Sequence, residues 1–374
     1  LEKADEMVKA ILESQSKELT AEQIRGLQYE LERSRRIAMD YSLTEEKLRE
    51  ALKENFENIT DEEIDELMAI GHFDWKTIDK ERRFVGPSIS NLFFRNEDMR
   101  ARRKKERSTG WTDYLLEHTK AIMEQAGEGG NGFASPVDYE ISMSIRVEAD
   151  AVPEGETIRC WMPYPMQFDA QKDVRLISSS PEVNWMNAPD FPMRSLYFEQ
   201  PSAGSETTEF KATYTVTTYP RYYKLDPEVA AQADQEYSEH VAQFLEEDAP
   251  HIIFSAEMVQ HVKKVVGEET NPVRKARLIY DWIAENLQYS YAREYSTLRC
   301  IPEYVMTNRY GDCGQIALTF ITMCRVAGVP ARWQSGWVIY PDWENLHDWT
   351  EIYIAPYGWV PVDPDFTMEF EQTY

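Results

Sequence analysis

The chain has 374 residues, of which 42% are hydrophobic and 12% aromatic, and its formal net charge is −26. This length predicts two or three domains, and the apolar content is high enough for hydrophobic cores, which excludes a wholly disordered protein. The negative charge repels nucleic-acid phosphates and anionic headgroups, and the longest apolar runs are far shorter than a bilayer-spanning helix. We therefore expect no nucleic-acid partner and no membrane span. Solubility is the simplest reason for the acidic surface, and a cationic substrate is the alternative.

The first third of the chain, residues 1–126, is predicted to be a helical region. It repeatedly shows the capping-box spacing, in which a hydroxyl and a later Glu or Gln satisfy the free N–H groups of a helix start. The spacing occurs at Thr20 with Gln23, Ser42 with Glu45, and Thr60 with Glu63. The dense basic run at 100–107 is interpreted as a solvated helix face, because it is isolated in an acidic chain.

A glycine-rich stretch at 127–136 predicts a linker, after which the pattern changes. Residues 137–224 contain short segments in which apolar and polar residues alternate, separated by turn-rich pieces. Alternation with a period of two is typical of strands that bury one face. We therefore expect an antiparallel β-domain with the architecture of a sandwich.

The last segment, residues 225–374, is predicted to combine helices with a final set of strands. Asn271 is an N-cap followed by Pro272 at the first helical position. A nearly all-apolar stretch follows Cys313 and stops at Gly328, which predicts a buried central helix with Cys313 at its start. Three strand-like segments come next: RWQSGWVIY, HDWTEIYIA and GWVPVDPDF.

Cys313 is the strongest candidate for a functional residue. Free N–H groups and the dipole at a helix N-terminus favour a thiolate, and the same N–H groups can stabilise an oxyanion. A buried small hydrophobe is the alternative interpretation. The other cysteines are Cys160, Cys300 and Cys324, and no C-x-x-C pair occurs. The sequence therefore shows neither zinc-site spacing nor a disulfide framework, and we expect no metal or other cofactor.

A nucleophilic cysteine needs a base, and the base needs an orienting group. Among six histidines, only His347 opens a strand after the helix, 34 residues beyond Cys313. Asp363 follows 16 residues later, at the end of the next strand. Two adjacent strands packed on the helix can bring these three side chains together. Asp348 is expected to face the opposite side of its strand from His347.

Four linked motifs resemble the core of the transglutaminase-like superfamily. They stand in GDCGQIALTFITMCRVAGVPARWQSGWV, HDWTEIYI and GWVPVDPDF. The family pattern has Gly-x-Cys at a helix start, Gly-x-Pro-Ala-Arg after it, His-x-Trp on a strand and Trp-x-x-x-Asp-Pro on the next. The resemblance covers about residues 270–366, and the helical first third has no counterpart in it.

The resemblance implies an α+β, papain-like fold in which a central helix packs on an antiparallel sheet. It implies Cys313 as nucleophile, His347 as general base and acid, and Asp363 as the residue that orients the imidazole. Asp365 would point the same way on an extended strand, but the family pattern selects the aspartate that precedes proline.

In this family an aromatic or amide side chain before the nucleophile supplies the second oxyanion donor. Tyr289, Tyr291 and Trp282 are candidates here, and Tyr291 is favoured. Trp337 and Trp349 are expected to line the cleft, with packing in the core as the alternative role.

The predicted function is thiol acyl transfer on peptide or glutamine amides through a thioester. With water as acceptor the protein is a peptidase or amidase, and with an amine it is a cross-linking transferase. Hydrolysis is favoured, because the resemblance implies many proteolytic members of bacterial type. A non-catalytic protein-binding scaffold is a further alternative, against which the intact triad argues. Peptide N-glycanase activity is disfavoured because the cysteine pairs of its zinc site are missing.

A chain that begins without Met, with an acidic surface and a helical region before a β-domain, is expected to be secreted or periplasmic. A cytoplasmic location also fits these features. Since the chain stops soon after Asp365, at MEFEQTY, we expect part of the natural C-terminus to lie beyond it.

Overall fold

The computed structural model describes residues 1–15, 18–104, 110–126, 132–134, 136–233, 236–340 and 343–366. The chain forms two compact units: Leu1–Ser108 joined to Leu225–Tyr374, and Thr109–Lys224. Most of the helical first third therefore folds together with the last segment of the chain. Three predicted features fall partly outside the described residues. They are the basic run, at 105–107, the glycine-rich linker, at 127–131, and the C-terminal end of the chain, at 367–374.

The N-terminal part of the first unit has six helices and one small sheet among its described residues. The helices are α1 (Glu2–Gln15), α2 (Ala21–Asp40), α3 (Glu45–Asn55), α4 (Asp61–Ala69), α5 (Ser88–Arg95) and α6 (Glu97–Ala101). The strands β1 (Leu43–Thr44), β2 (Trp75–Ile78) and β3 (Glu81–Phe84) pair antiparallel in the order β1-β3-β2. The sequence predicted the helices but not the sheet, because strands of two to four residues are too short to show alternation.

The helix starts predicted at Thr20 and Thr60 are confirmed, since each hydroxyl accepts a hydrogen bond from the N–H three residues later. The start predicted at Ser42 is wrong, because Thr44 caps α3 instead. Leu43 and Thr44 pair with strand β3, so the chain is still extended at Ser42.

A separate hydrophobic cluster holds this N-terminal part together. Leu48 and Leu52 of α3, Phe84 of β3 and Leu92 of α5 are fully buried in it. Helices as short as these are marginal in isolation, so their stability comes from this packing.

The second unit contains helix α7 (Gly110–Gln125) and eight strands within its described residues. The strands are β4 (Gly132–Phe133), β5 (Val137–Val147), β6 (Thr157–Pro163), β7 (Gln171–Ser180), β8 (Trp185–Met186), β9 (Ser195–Pro201), β10 (Thr208–Thr218) and β11 (Arg221–Tyr222). Two antiparallel sheets, β5-β10-β7 and β6-β9-β8, share one core. Phe198 and Phe210 meet across that core with ring centroids 6.0 Å apart. The predicted sandwich is therefore the architecture of this unit.

The remainder of the first unit carries six more helices and five strands, again counted over the described residues. The helices are α8 (Pro227–Gln232), α9 (Glu239–Ala242), α10 (Ala256–Val266), α11 (Pro272–Asn286), α12 (Ile301–Asn308) and α13 (Cys313–Val326). The strands are β12 (Gln288–Tyr289), β13 (Tyr310–Gly311), β14 (Ala331–Tyr340), β15 (Trp343–Ile354) and β16 (Gly358–Val362). Strands β14, β15 and β16 form an antiparallel sheet against which α13 packs, as the sequence predicted. No helix in the described ranges is long and apolar enough to cross a bilayer.

Helix α13 is buried along almost its whole length, as its nearly all-apolar sequence predicts. Its first turn is capped by Asp312, whose carboxylate accepts the N–H of Gln315. Its other end is closed by Gly328, which has a φ of +80° and so takes a left-handed conformation that favours glycine. The helix is thus fixed at both ends, which sets the position of Cys313 at its start.

Replacing a buried side chain of α13 should destabilise the first unit. Phe320 is fully buried, so we expect Phe320→Ala to lower the free energy of unfolding by about 3–5 kcal/mol, measured by urea denaturation. The control is Leu278→Ala on α11, where the side chain is 39% exposed and the expected loss is below about 1 kcal/mol. Equal losses for the two variants would contradict the assignment of α13 as the central core helix.

Candidate active site

Cys313 is the most accessible of the four cysteines. All four are free thiols, but Cys160, Cys300 and Cys324 are buried, whereas Cys313 is only partly so. It is the first residue of α13, next to the capping carboxylate of Asp312. Because a reactive thiol has to meet its substrate, Cys313 is the cysteine suited to chemistry.

The thiol of Cys313 lies among carboxylates. Its Sγ donates to Oδ2 of Asp348 at 3.9 Å. Burial, followed by the charges of Asp312, Asp365 and Asp348, raises the pKa of Cys313 well above that of a free cysteine. The expectation that the helix start yields a thiolate is therefore wrong for the resting site, because burial and like charge outweigh the helix dipole.

His347 and Asp363 form a direct pair. Nε2 of His347 lies 2.6 Å from Oδ2 of Asp363, and the imidazole is 10% exposed. The antiparallel register of β15 and β16, whose last pair is Thr350 with Val362, brings the two residues to the same edge of the sheet. The ring of Trp349 stacks on the imidazole at 6.2 Å, and that of Phe366 meets it edge-on at 5.0 Å. Packing on these rings and the carboxylate together set the orientation of the imidazole.

The cysteine and the histidine pair belong to one electrostatic site. Cys313 contacts Asp348, which is the chain neighbour of His347. The positive charge of His347 lowers the pKa of both Asp312 and Asp348, against the upward effect of burial on each. Asp312 is the chain neighbour of Cys313, and Asp348 is its hydrogen-bond partner. A charge that acts on both of these residues lies in the surroundings of the Cys313 thiol.

Asp348 is a site residue that the sequence argument set aside. Burial, with the charge of Asp312 added, raises its pKa to about 6. It does leave β15 on the opposite face from His347, as expected, but that face is the one turned towards α13. The signal was present in the sequence: Thr350, Ile352 and Ile354 share this face and are buried. The apolar side of β15 packs on α13, and Asp348 lies on that same side, in contact with Cys313.

Tyr295 is the second site residue that the sequence argument missed. Its hydroxyl donates to Oδ1 of Asp312 at 2.6 Å. A methyl group added at Gly314 would clash with that hydroxyl and would lie 2.8 Å from the ring of Trp333. The missing side chain at Gly314 therefore allows Tyr295, Trp333 and Asp348 to close around the start of α13.

The aromatic residues predicted to line the site lie in different surroundings. Tyr289 is partly buried, and burial, followed by the charges of Asp365, Cys313 and Asp312, raises its pKa. Tyr291 is 46% exposed and packs edge-on against Tyr289 at 5.9 Å. Trp337 is 42% exposed on β14, opposite Leu346. The oxyanion role of Tyr291 and the cleft role of Trp337 stay predictions.

Removing the charge of Asp348 should make Cys313 more acidic. The carboxylate is ionised above about pH 6 and then disfavours the thiolate, so Asp348→Asn should lower the pKa of Cys313. A pKa lower by one unit gives about ten times more thiolate, partly offset because a less basic thiolate is a weaker nucleophile. We expect iodoacetamide to alkylate the variant about threefold faster or more at pH 7.5, with little difference near pH 5.

The control for this measurement is Asp61→Asn, an exposed aspartate of α4 that should leave the rate unchanged. Peptide mapping assigns the alkylated cysteine. A rate for Asp348→Asn equal to that of the wild type across pH 6–9 would show that this carboxylate does not act on the thiol.

The close packing over Gly314 gives a second prediction. Gly314→Ala places a methyl group 2.7 Å from Oδ2 of Asp348, so we expect a loss of about 1–3 kcal/mol in unfolding free energy and an altered alkylation rate of Cys313. Gly26→Ala on α2 is the matched control, since its added methyl group meets no atom within 4 Å and should stabilise the helix by up to about 1 kcal/mol. Thermal unfolding distinguishes the two, and an unchanged Tm for Gly314→Ala would contradict this packing.

Comparison with known proteins agrees with the motifs. Residues 259–364 match the profile of the transglutaminase-like superfamily. A protein of Haemophilus influenzae is 26% identical over an alignment of 264 residues that covers 60% of this chain and 68% of that protein. YebA of Bacillus subtilis is 25% identical over an alignment of 175 residues that covers 40% of this chain and 23% of YebA.

Two similar solved structures come from bacteria. A candidate cysteine protease from Cytophaga hutchinsonii has a TM-score of 0.49 and 20% identity, over 65% of this chain and 81% of that one. The periplasmic domain of TgpA from Pseudomonas aeruginosa has a TM-score of 0.35 and 14% identity, over 60% of this chain and 77% of that one. The matched profile includes α13 and the strands that carry His347 and lead to Asp363, so residues 259–364 are similar to the core of the transglutaminase-like superfamily.

Proposed function

We propose that the chain is a thiol acyl-transfer enzyme that acts on peptide or glutamine amides. Cys313 is the nucleophile, His347 the general base and acid, and Asp363 the residue that orients the imidazole. The contact of 2.6 Å between His347 and Asp363, beside a partly accessible cysteine at the start of a buried helix, is the observation that supports this assignment.

The contact of one ring nitrogen with Asp363 supports a division of roles between the two nitrogens of the His347 imidazole. Nε2 of His347 faces Asp363, so the exchange of a proton with Cys313 falls to Nδ1. A carboxylate on one nitrogen stabilises the imidazolium that forms when the other nitrogen takes a proton. Asp363 therefore raises the basicity of His347 at the moment when the thiol is deprotonated.

The reaction proceeds in two acyl transfers. Sγ of Cys313 attacks the amide carbonyl carbon while its proton passes to His347, and the carbonyl oxygen becomes an oxyanion. His347 then returns the proton to the leaving amine, the C–N bond breaks and a thioester remains. In the second half, water loses a proton to His347 and attacks the thioester, which releases the carboxylic acid and restores the thiol.

The raised pKa of Cys313 sets the order of events. Because burial and neighbouring carboxylates hold the resting residue as a thiol, deprotonation accompanies attack rather than preceding it. A substrate that moves the carboxylate of Asp348 away from Sγ, while the backbone hydrogen bond between Asp348 and the thiol is kept, would remove one of the charges that disfavour the thiolate. We thus expect substrate binding and activation of the nucleophile to be coupled.

The oxyanion needs donors close to the nucleophile. The free N–H groups at the start of α13 supply one kind of donor. Tyr291 remains the predicted side-chain donor. Tyr289 is a further candidate, because the charge of Cys313 acts on its pKa, after the larger effect of burial.

Transfer to an amine is the alternative outcome. The carboxylates of Asp312, Asp348 and Asp365 act on Cys313, and together they attract a cationic amine towards the thioester. We favour water as the acceptor, because the family resemblance implies many proteolytic members of bacterial type. A secreted or periplasmic location stays a prediction.

The test uses a mixture of glutamine-containing peptides, with and without a fluorescent primary amine, analysed by mass spectrometry. Hydrolysis gives cleaved or deamidated peptides, and amine transfer gives peptides that have gained the amine and lost ammonia. We expect Cys313→Ala and His347→Ala to abolish turnover and Asp363→Asn to lower kcat by about 10²–10⁴-fold.

The controls separate chemistry from folding. Cys324→Ala removes a buried thiol and should retain turnover, and circular dichroism checks that each variant is folded. If Cys313→Ala still forms product, the assignment of Cys313 as the nucleophile is wrong. If the folded wild type forms no product and no thioester with any peptide, the non-catalytic scaffold becomes the better interpretation.

A further inference from the structure

The segment between β12 and α12 has an unusual source of main-chain hydrogen bonds. Residues 290–297, here called the strap, have no regular structure apart from a 3₁₀ turn at Tyr295–Thr297. Several of their backbone groups are paired with side chains from residues 1–108, which belong to the same unit.

Asn91 of α5 acts on the strap as a neighbouring strand would. Its Oδ1 accepts the N–H of Tyr291 at 2.9 Å, and its Nδ2 approaches the carbonyl of Tyr291 at 3.4 Å. Asn91 is 1% exposed. A buried amide that satisfies both backbone groups of one residue fixes the path of the chain there.

Helix α2 holds the strap on both sides of Tyr295. The N–H of Glu294 donates to Oδ2 of Asp40 at 2.8 Å, and the Glu294 carboxylate pairs with Arg36 at 2.9 Å. On the other side, the hydroxyl of Tyr29 donates to the carbonyl of Ser296 at 2.9 Å. The two residues next to Tyr295 are therefore both anchored to the N-terminal helical region.

Tyr295 connects the anchored strap to the start of α13, where Cys313 lies. Its hydroxyl binds Asp312, the cap of α13, and fills the space left by the missing side chain of Gly314. The charge of Cys313 contributes to the raised pKa of Tyr295, after burial and the effects of Asp312. A shift of the strap would thus change the cover over the first turn of α13.

We propose that the N-terminal helical region is a working part of the active site, in which Asp40 and Asn91 are positioning residues that hold Tyr295 against the start of α13. The catalytic part of this inference rests on the proposed function. Asp40 and Asn91 act through the strap and do not touch the reacting atoms.

Release of the strap has a defined chemical consequence. Burial is the largest cause of the raised pKa of Cys313, so a loosened cover makes the thiol both more accessible and more acidic. Alkylation of Cys313 should then become faster, while turnover becomes slower because the site is less well ordered. Simple loss of activity through unfolding does not produce this pair of opposite changes together with an intact fold.

The test compares Asp40→Ala with Asp40→Asn, which retains an oxygen to accept the N–H of Glu294. In Asp40→Ala we expect hydrogen exchange at Glu294 and its neighbours to rise about tenfold or more, and alkylation of Cys313 by iodoacetamide at pH 7.5 to accelerate several-fold. Asp40→Asn should stay near the wild type in both measurements. Asp61→Ala, the same substitution on α4 away from the strap, should change neither.

Tyr295→Phe shows whether Asp40 acts through Tyr295. When Asp40→Ala is combined with Tyr295→Phe, the alkylation rate of Cys313 should rise little above that of Tyr295→Phe alone. If the two residues acted independently, the rate increases of the two single variants would multiply in the double variant. Unchanged exchange and alkylation in folded Asp40→Ala would overturn the proposal. Hydrogen exchange at the strap and alkylation of Cys313 are both measured without turnover. A wild type that turns over no substrate, but whose strap is protected from exchange, would therefore contradict the proposed function and leave the positioning role of Asp40 intact.

Discussion

The arrangement around Cys313 depends on the partly buried carboxylate of Asp312. It accepts hydrogen bonds from the N–H of Gln315 at 3.0 Å and from the hydroxyl of Tyr295 at 2.6 Å. A carboxylate removed from water is costly unless such donors replace its hydration, and the positive end of a helix adds to its stability. Since the same group caps α13 and binds the strap, the position of Cys313 is set by both elements at once.

The acidic surroundings give the site a protected resting state. Burial and the charges of Asp312, Asp365 and Asp348 favour the thiol of Cys313, while His347 is held separately by Asp363. A thiol reacts far more slowly with oxidants and electrophiles than a thiolate does. The helix dipole acts in the opposite direction, but in this low-dielectric position three like charges and desolvation are the larger effects.

The segment that matches the family profile does not form this site alone. Residues 1–108 have their own hydrophobic core and also supply side chains to the strap, through Asn91, Asp40 and Tyr29. Gly314 then permits the strap to approach the first turn of α13 more closely than any side chain would allow. The local order of the segment that carries Cys313 and His347 is thereby linked to a region that the family pattern does not include.

Local physical chemistry was enough to predict the helix that starts at Cys313, the cap at Asn271, the sandwich and the strand that carries His347. Each follows from periodicity, capping or turn residues within a short stretch of chain. Even the side of β15 on which Asp348 lies was present in the alternation of that strand, although its meaning depended on where α13 packs. The role of Tyr295 had no local signal, because it depends on contacts with residues about 200 to 260 positions away in the sequence. The resting protonation of Cys313 was likewise decided by tertiary structure, since burial and the approach of carboxylates from other elements exist only in the folded chain.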